Sequence, residues 1–305
     1  MTNTRILLIG CYGLLGQRIV QGMLPEAFVL GVDQDENAYI HGEHFQYARL
    51  DITNRKEVKR MCEEYNPDWV INAAAYTNVD ECEIKKELCW RVNVEGVENL
   101  VKFAKKIEAK FIHISSDYIF DGKKNLYTEE DLPSPLSYYG KAKLASENVV
   151  RASGIDWTIL RTSTLYDVDA LKGQQNFVTW VVQNLRQGNS IRIVTDQWGN
   201  PTLARNLAAA VWQVVSLNRT GVFNAAGKDN VDRHTFAKKI AEYFNLDAEL
   251  LIPVTTEELK QKALRPLRIG LDTSKIEREL EMNMVGIEEG ILIFKKDYLA
   301  MHRNN

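Results

Sequence analysis

Arg5-Ile-Leu-Leu-Ile-Gly10-Cys-Tyr-Gly13-Leu-Leu-Gly16, followed by Ile19, Val20, Met23 and Leu24, decides the fold. A short apolar run that ends in glycine reads as a buried strand, and apolar residues recurring at helical spacing after it read as the inner face of a helix. Glycines at 10, 13 and 16 let the backbone turn tightly, approach a pyrophosphate and pack the helix against the strand. The helix N-terminus offers N–H groups and a positive dipole end to phosphate. The spacing is Gly-x-x-Gly-x-x-Gly rather than Gly-x-Gly-x-x-Gly, so its meaning depends on context.

That context follows at once. Phe28-Val-Leu-Gly-Val32 is a second apolar run, and it ends in Asp33. A carboxylate at the tip of the second strand can bind the adenosine ribose hydroxyls and repels a 2′-phosphate, so NADH is expected to be accepted, with NADPH as a second cofactor. The rhythm then repeats. Tyr47-Ala-Arg-Leu50 ends in Asp51-Ile52, with Thr53 as the expected cap of the next helix, and Trp69-Val-Ile71 leads into Asn72-Ala-Ala-Ala75. Three small residues there suit either a cofactor lying on the backbone or a tight helix contact. Glu83 to Lys106 has helical periodicity, with Asn93 on or near its apolar face; a buried Asn must find partners.

Phe111-Ile-His-Ile114 delivers Ser115, Ser116 and Asp117, and Trp157-Thr-Ile-Leu160 ends in Arg161. Alternating strands and helices of this length imply a parallel sheet with right-handed crossovers, covered on both faces, whose ligands bind at the carboxyl ends of the strands. The expected architecture is α/β: a Rossmann-type doubly wound parallel sheet with a smaller, mostly helical substrate-binding cap. Residues 1–165, with 203–226 returning, form the dinucleotide-binding domain; 166–202 and 227–305 form the cap.

Between the strands stands Tyr139-Gly-Lys-Ala-Lys143. On a helix opened by Pro135-Leu-Ser, Tyr139 and Lys143 are one turn apart and share a face. An ammonium close to a phenol favours the phenolate and brings its pKa down from ~10, which makes Tyr139 a usable proton donor. Ser116 is placed to hold a carbonyl or alcohol oxygen beside it.

Bulk properties are those of a soluble globular chain: 305 residues, 26% charged, formal net charge −3. Nothing in the charge balance calls for nucleic acid or an anionic membrane. The first apolar run is too short for a signal sequence, and no apolar run is long enough to span a bilayer. Cys11, Cys62, Cys82 and Cys89 have neither Cys-x-x-Cys nor zinc spacing, and read as reduced packing residues of a cytoplasmic protein.

Taken together, Gly10 to Gly16, Asn72 to Asp80, Ser115 to Gly122, Pro135 to Lys143, Arg161-Thr-Ser163, Asp196-Gln-Trp-Gly-Asn-Pro-Thr202 and Arg265-Pro266 resemble an extended short-chain dehydrogenase/reductase, and within that group the dTDP-4-dehydrorhamnose reductases. The resemblance implies NAD(P)H-dependent reduction of the C4 ketone of a nucleotide-linked 6-deoxy-4-keto-sugar. It makes Tyr139 the proton donor, Lys143 its activator and a ligand of the nicotinamide ribose, and Ser116 the residue that positions the reacting oxygen. Gly10, Gly13, Leu14, Leu15, Gly16, Asp33, Asp51, Ile52, Ala73, Ala74 and Ala75 match cofactor-contacting positions; Ser116, Asp117 and Thr164 match substrate positions. Thr164 stands where the family usually carries a Trp, and the loop after it is longer. Gln17 and Arg18 stand where some members place a magnesium-binding Glu, so no metal is expected. A homodimer is left open. The chain is similar over the same motifs to the regulatory beta subunit of methionine adenosyltransferase, which implies, as one alternative, a cofactor-binding partner protein without turnover; another nucleotide-sugar epimerase or reductase is the other.

Overall fold

The computed structural model describes residues 4–24, 26–173 and 175–302. Seven parallel strands make the central sheet: β1 Arg5–Ile9, β2 Phe28–Asp33, β3 Phe45–Arg49, β4 Trp69–Asn72, β5 Lys110–Ser116, β6 Trp157–Thr162 and β7 Gly221–Asn224, in the order β7-β6-β5-β4-β1-β2-β3. The chain runs outward from β1 to β3, then crosses back to β4 and continues outward the other way. Strand order therefore reverses between β1 and β4, which opens a crevice at their carboxyl ends. The Gly10 and Cys11 N–H groups both bond the Val32 carbonyl (2.8 and 3.2 Å), which ties the glycine turn to the tip of β2.

Both faces are covered. The Leu14–Met23 and Ala204–Leu217 helices pack on one face around Ile6, Leu8, Ile19, Val211 and Phe223, and the Arg55–Tyr65 and Gly96–Lys106 helices pack on the other around Leu7, Val58, Leu100 and Phe111. A third core, built on Tyr166, Val181, Ile240 and Phe294, joins the Phe177–Arg186, Arg233–Phe244 and Ile287–His302 helices of the C-terminal part. That part is less purely helical than its periodicity suggests. Leu251–Val254 pairs in parallel with Ile191–Val194, and short two-residue pairs join Thr202–Leu203 to Leu165–Tyr166 and Gly270–Leu271 to Leu126–Tyr127.

Two local expectations change. The Arg55–Tyr65 helix is capped by Asn54, whose side chain accepts from the Lys56 and Glu57 N–H groups and donates to Glu57 (2.7 Å), so the cap lies one residue beyond Thr53. The segment read as a helix from Glu83 to Lys106 is broken into Val79–Ile84, Lys86–Trp90, a π turn over Arg91–Glu95, and Gly96–Lys106. The π turn presents the Asn93 carboxamide to the Tyr76 backbone, accepting from its N–H (2.8 Å) and donating to its carbonyl (3.0 Å). Asn93 thus fixes the loop after β4.

Candidate active site

Ser116, Tyr139 and Lys143 come together at the carboxyl end of β5. Ser137 caps the Tyr138–Arg151 helix by accepting from the Gly140 N–H (3.1 Å). Gly140 is what lets that helix reach β5: a Cβ there would lie 2.2 Å from the Tyr118 carbonyl oxygen, so any larger residue would push the helix away. Behind it, Glu147 on the same helix forms a doubly hydrogen-bonded, fully buried ion pair with Arg161 of β6 (3.0 and 2.9 Å), which fixes the rotation that turns Tyr139 and Lys143 toward the cleft.

Ser116 ends β5, accepts from the Tyr118 N–H (3.2 Å) and donates to Asp117 (3.0 Å). Tyr139 sits against it with its ring edge-on to Tyr118 (5.9 Å between centroids). Among the protein's own groups the phenol does not fall below its ordinary pKa, as the Tyr–Lys spacing suggested. Burial raises it, with the Ser116 hydrogen bond pulling the other way. The phenol is therefore held protonated, the state a proton donor needs.

Lys143 is held by other partners. Its ammonium donates to the Ile114 carbonyl (2.7 Å) and stands 3.3 Å from Nε2 of His113, and burial lowers its pKa to about 8. The tautomer of the wholly buried His113 follows from its partners. Asn72 accepts from the Ala74 N–H through its oxygen (3.2 Å), so its NH₂ faces Nδ1 of His113 (3.3 Å). Nδ1 is then the acceptor and Nε2 carries the hydrogen, directed at Ser146 Oγ (2.9 Å), whose own hydroxyl donates to the Lys143 carbonyl (2.7 Å). Burial and the nearby ammonium keep the imidazole neutral. His113 was not singled out from the sequence; an apolar strand with one polar residue next to its chemistry-bearing end was the available signal.

At the other end of the crevice, the glycine turn has the shape of an anion cradle. Gly13 caps the Leu14–Met23 helix with no side-chain hydrogen bond, leaving the first-turn N–H groups beyond it without a side-chain cap. Added Cβ atoms at Gly10 and Gly16 would strike backbone, 2.9 Å from the Ala74 nitrogen and 2.0 Å from the Gly10 oxygen, whereas one at Gly13 would meet only the Gly10 oxygen at 3.4 Å. The inner glycines are packing requirements, and Gly13 faces open space. The Ala73–Ala74 backbone lies against Gly10, and Ala75 follows it in the chain. Asp33 at the tip of β2 accepts from the Tyr12 N–H (3.1 Å) and the Gln34 N–H (2.8 Å). Asp51 accepts from the Thr53 N–H (2.9 Å), and Ile52 packs against Gly96. These features fit a dinucleotide. Among the described residues no group of three or more His, Cys, Asp or Glu side chains is arranged to hold a metal ion, and no helix is long and apolar enough to cross a membrane.

Asp117, 3% exposed, lies beside Ser116, with Gly199 and Arg233 of the C-terminal part around it. Burial pushes its carboxyl up to about 6 against hydrogen bonds from Ser163 and Ser116. Thr164 takes a left-handed backbone (φ 31°), and its carbonyl accepts from the Thr202 N–H (3.0 Å). Within the Asp196–Thr202 motif, Asn200 is structural: it donates to the Gly227 carbonyl (2.7 Å) and accepts from the Leu271 N–H (2.8 Å). Gln17 and Arg18 bind the loop after β6, through Asp169 (2.9 Å) and Asp167 (2.9 Å) respectively.

The family described as "RmlD substrate binding domain" matches residues 4–298. The chain is 34% identical over 289 residues to the "Probable low-salt glycan biosynthesis reductase Agl14" of Haloferax volcanii, covering 92% of this chain and 94% of that one. It is 30% identical over 287 residues to the methionine adenosyltransferase 2 subunit beta of Rattus norvegicus, covering 90% of this chain and 82% of the relative. Among solved structures, the dTDP-4-dehydrorhamnose reductase of Bacillus anthracis in complex with NADP superimposes with a TM-score of 0.85 at 27% identity, over 97% of this chain and 100% of that one. With a cradle for a dinucleotide at one end of the crevice and a Ser–Tyr–Lys cluster at the other, the chain belongs to the RmlD substrate-binding-domain family and is an NAD(P)-dependent oxidoreductase of the dTDP-4-dehydrorhamnose reductase type.

Proposed function

We propose that the chain reduces the C4 ketone of a nucleotide-linked 6-deoxy-4-keto-sugar, with dTDP-4-dehydro-L-rhamnose going to dTDP-L-rhamnose as the specific reaction. The observation that carries this reading is the contact of Ser116 with Tyr139 one helical turn from the buried ammonium of Lys143. NADPH or NADH, when bound, supplies the hydride to carbon. The rest is done by the chain. The first-turn N–H groups of Leu14 and Leu15 take the pyrophosphate, Asp33 the adenosine ribose, Asp51 and Ile52 the adenine edge, and the backbone at Ala73, Ala74 and Ala75 the middle of the cofactor. Ser116 holds the ketone oxygen. Tyr139 delivers its proton to that oxygen as charge develops there, so ketone, hydride and proton balance to the alcohol. Lys143 keeps one N–H on Ile114 and turns the others toward the nicotinamide ribose and the phenolate left behind. Asp117 and Thr164 face the sugar.

The test follows NAD(P)H absorbance with dTDP-4-keto-6-deoxy-L-mannose. Wild type should oxidise the cofactor stoichiometrically, and Tyr139→Phe should lose about 10²–10⁴ of the rate. Retention of most of the rate in the variant removes the phenol from the mechanism. The similarity to a methionine adenosyltransferase beta subunit supports a second reading, a dinucleotide-binding regulatory partner. Copurification with a synthetase subunit, with no sugar-dependent oxidation, favours it over turnover.

A further inference from the structure

The loop after β6 reaches the adenosine end of the crevice and is held there by buried ions. Asp167, wholly buried, accepts from Arg18 (2.9 Å) and from Arg205 through Nε (3.1 Å) and Nη2 (2.7 Å), and Arg205 also pairs with Asp297 (2.5 Å). Asp169 accepts from Gln17 (2.9 Å), which also donates to the Tyr12 carbonyl (3.0 Å), and from the Leu171 and Lys172 N–H groups (3.0 and 2.9 Å). Lys172 extends from this clasp toward β2. Its ammonium passes 5.6 Å from the centre of the Tyr12 ring and pairs with Asp35, two residues beyond the tip of β2. Tyr12 is the residue whose N–H binds Asp33. One ammonium and two carboxylates thus meet where the adenosine ribose is expected.

We propose that Lys172 reads the 2′ position of that ribose: a 2′-phosphate draws the ammonium away from Asp35, and a 2′-hydroxyl leaves the Lys172–Asp35 pair closed and bonds Asp33. The proposal rests on the dinucleotide reading of the glycine turn and adds the residue that admits NADPH beside NADH. Without Lys172, Asp33 and Asp35 would both repel a phosphate. With it, a group carrying about −1.5 to −2 charges and three acceptor oxygens outcompetes a single carboxylate for the same cation. Lysine suits the exchange, because a compact ammonium on a four-carbon stem moves between partners that a planar guanidinium would hold in a fixed fork. The Lys172 side chain is about three-quarters buried, so the pair is partly shielded from solvent and salt.

The experiment is calorimetric titration of the full chain with adenosine 2′,5′-bisphosphate and with adenosine 5′-diphosphate. Lys172→Met should weaken the bisphosphate up to about fivefold and change the diphosphate by less than about twofold, as expected for loss of one partly exposed charge pair. Asp35→Asn, which removes the competing carboxylate and keeps the lysine, should tighten the bisphosphate about threefold. NADPH and NADH dissociation constants should move in the same two directions. Equal weakening of both nucleotides by Lys172→Met makes the lysine a mere support for the loop and overturns the proposal, as does an unchanged ratio in both variants. Failure of the wild type to bind either nucleotide is a separate outcome: it removes the dinucleotide reading itself, and this proposal with it.

Discussion

The Lys143 ammonium lies 3.3 Å from Nε2 of His113, and in the tautomer set by Asn72 that nitrogen carries a hydrogen, so two donors face one another across a buried contact. The imidazole therefore offers the lysine no acceptor. Among the described residues, the acceptor its ammonium does find is the Ile114 carbonyl (2.7 Å). Burial, against the opposing pull of Glu147 and Cys89, is what brings the lysine to a pKa of about 8.

The first prediction concerns that proton. If the ammonium binds the cofactor ribose, the dissociation constant for NADPH should rise as pH rises through about 8, where Lys143 loses its proton. Lys143→Met should bind about tenfold or more weakly below that pH and show no inflection there. Fluorescence titration between pH 6 and 9 checks both.

Asp117 supplies a stability prediction. Its folded pKa of about 6 lies above the unfolded value of 3.8, so the folded chain binds the extra proton between those values. Stability from this group is fully present below pH ~4 and is lost as pH rises through ~6. At pH 7 the buried carboxylate costs the fold about 3 kcal/mol, from roughly two pKa units at about 1.4 kcal/mol each. Asp117→Asn should recover about 2 kcal/mol in urea denaturation at pH 7, flatten the slope between pH 4 and 6, and impair turnover.

Breaking the Glu147–Arg161 pair should be costly, because it leaves one buried charge unpaired. Glu147→Gln is expected to lose about 3–5 kcal/mol, whereas Glu147→Leu combined with Arg161→Met should recover most of that loss. Tilting of the Tyr138–Arg151 helix in the single variant should also lower the rate, and the comparison of urea midpoints with turnover separates the two effects.

Two glycines in one helix should respond oppositely. Gly16→Ala forces a Cβ to within 2.0 Å of the Gly10 oxygen, where only backbone could yield, so about 3 kcal/mol or more of stability and nearly all dinucleotide binding should be lost. Gly22 has nothing within 4 Å of such an atom, and Gly22→Ala should gain up to about 1 kcal/mol. Thermal melting with and without NADPH reads both.

The amino-acid order by itself determined the alternation of strand and helix, the glycine turn after β1, the carboxylate at the tip of β2 and the shared face of Tyr139 and Lys143. These are legible because they depend on local periodicity and on spacing within one or two elements. Gly140 and Asn93 were visible as residues but not as causes: a collision with the Tyr118 carbonyl and a bond to the Tyr76 backbone involve segments distant in the chain. Tertiary structure alone decided the proton states and the ionic wiring. The phenol of Tyr139 lies above its ordinary pKa because burial outweighs its neighbours. Gln17 and Asp169 bond across 152 residues, and Arg18 and Asp167 across 149, turning a loop without periodicity into a clasp from which Lys172 pairs with Asp35 beyond the tip of β2. Charge energetics depend on what surrounds a group after folding, and no spacing within the chain records that.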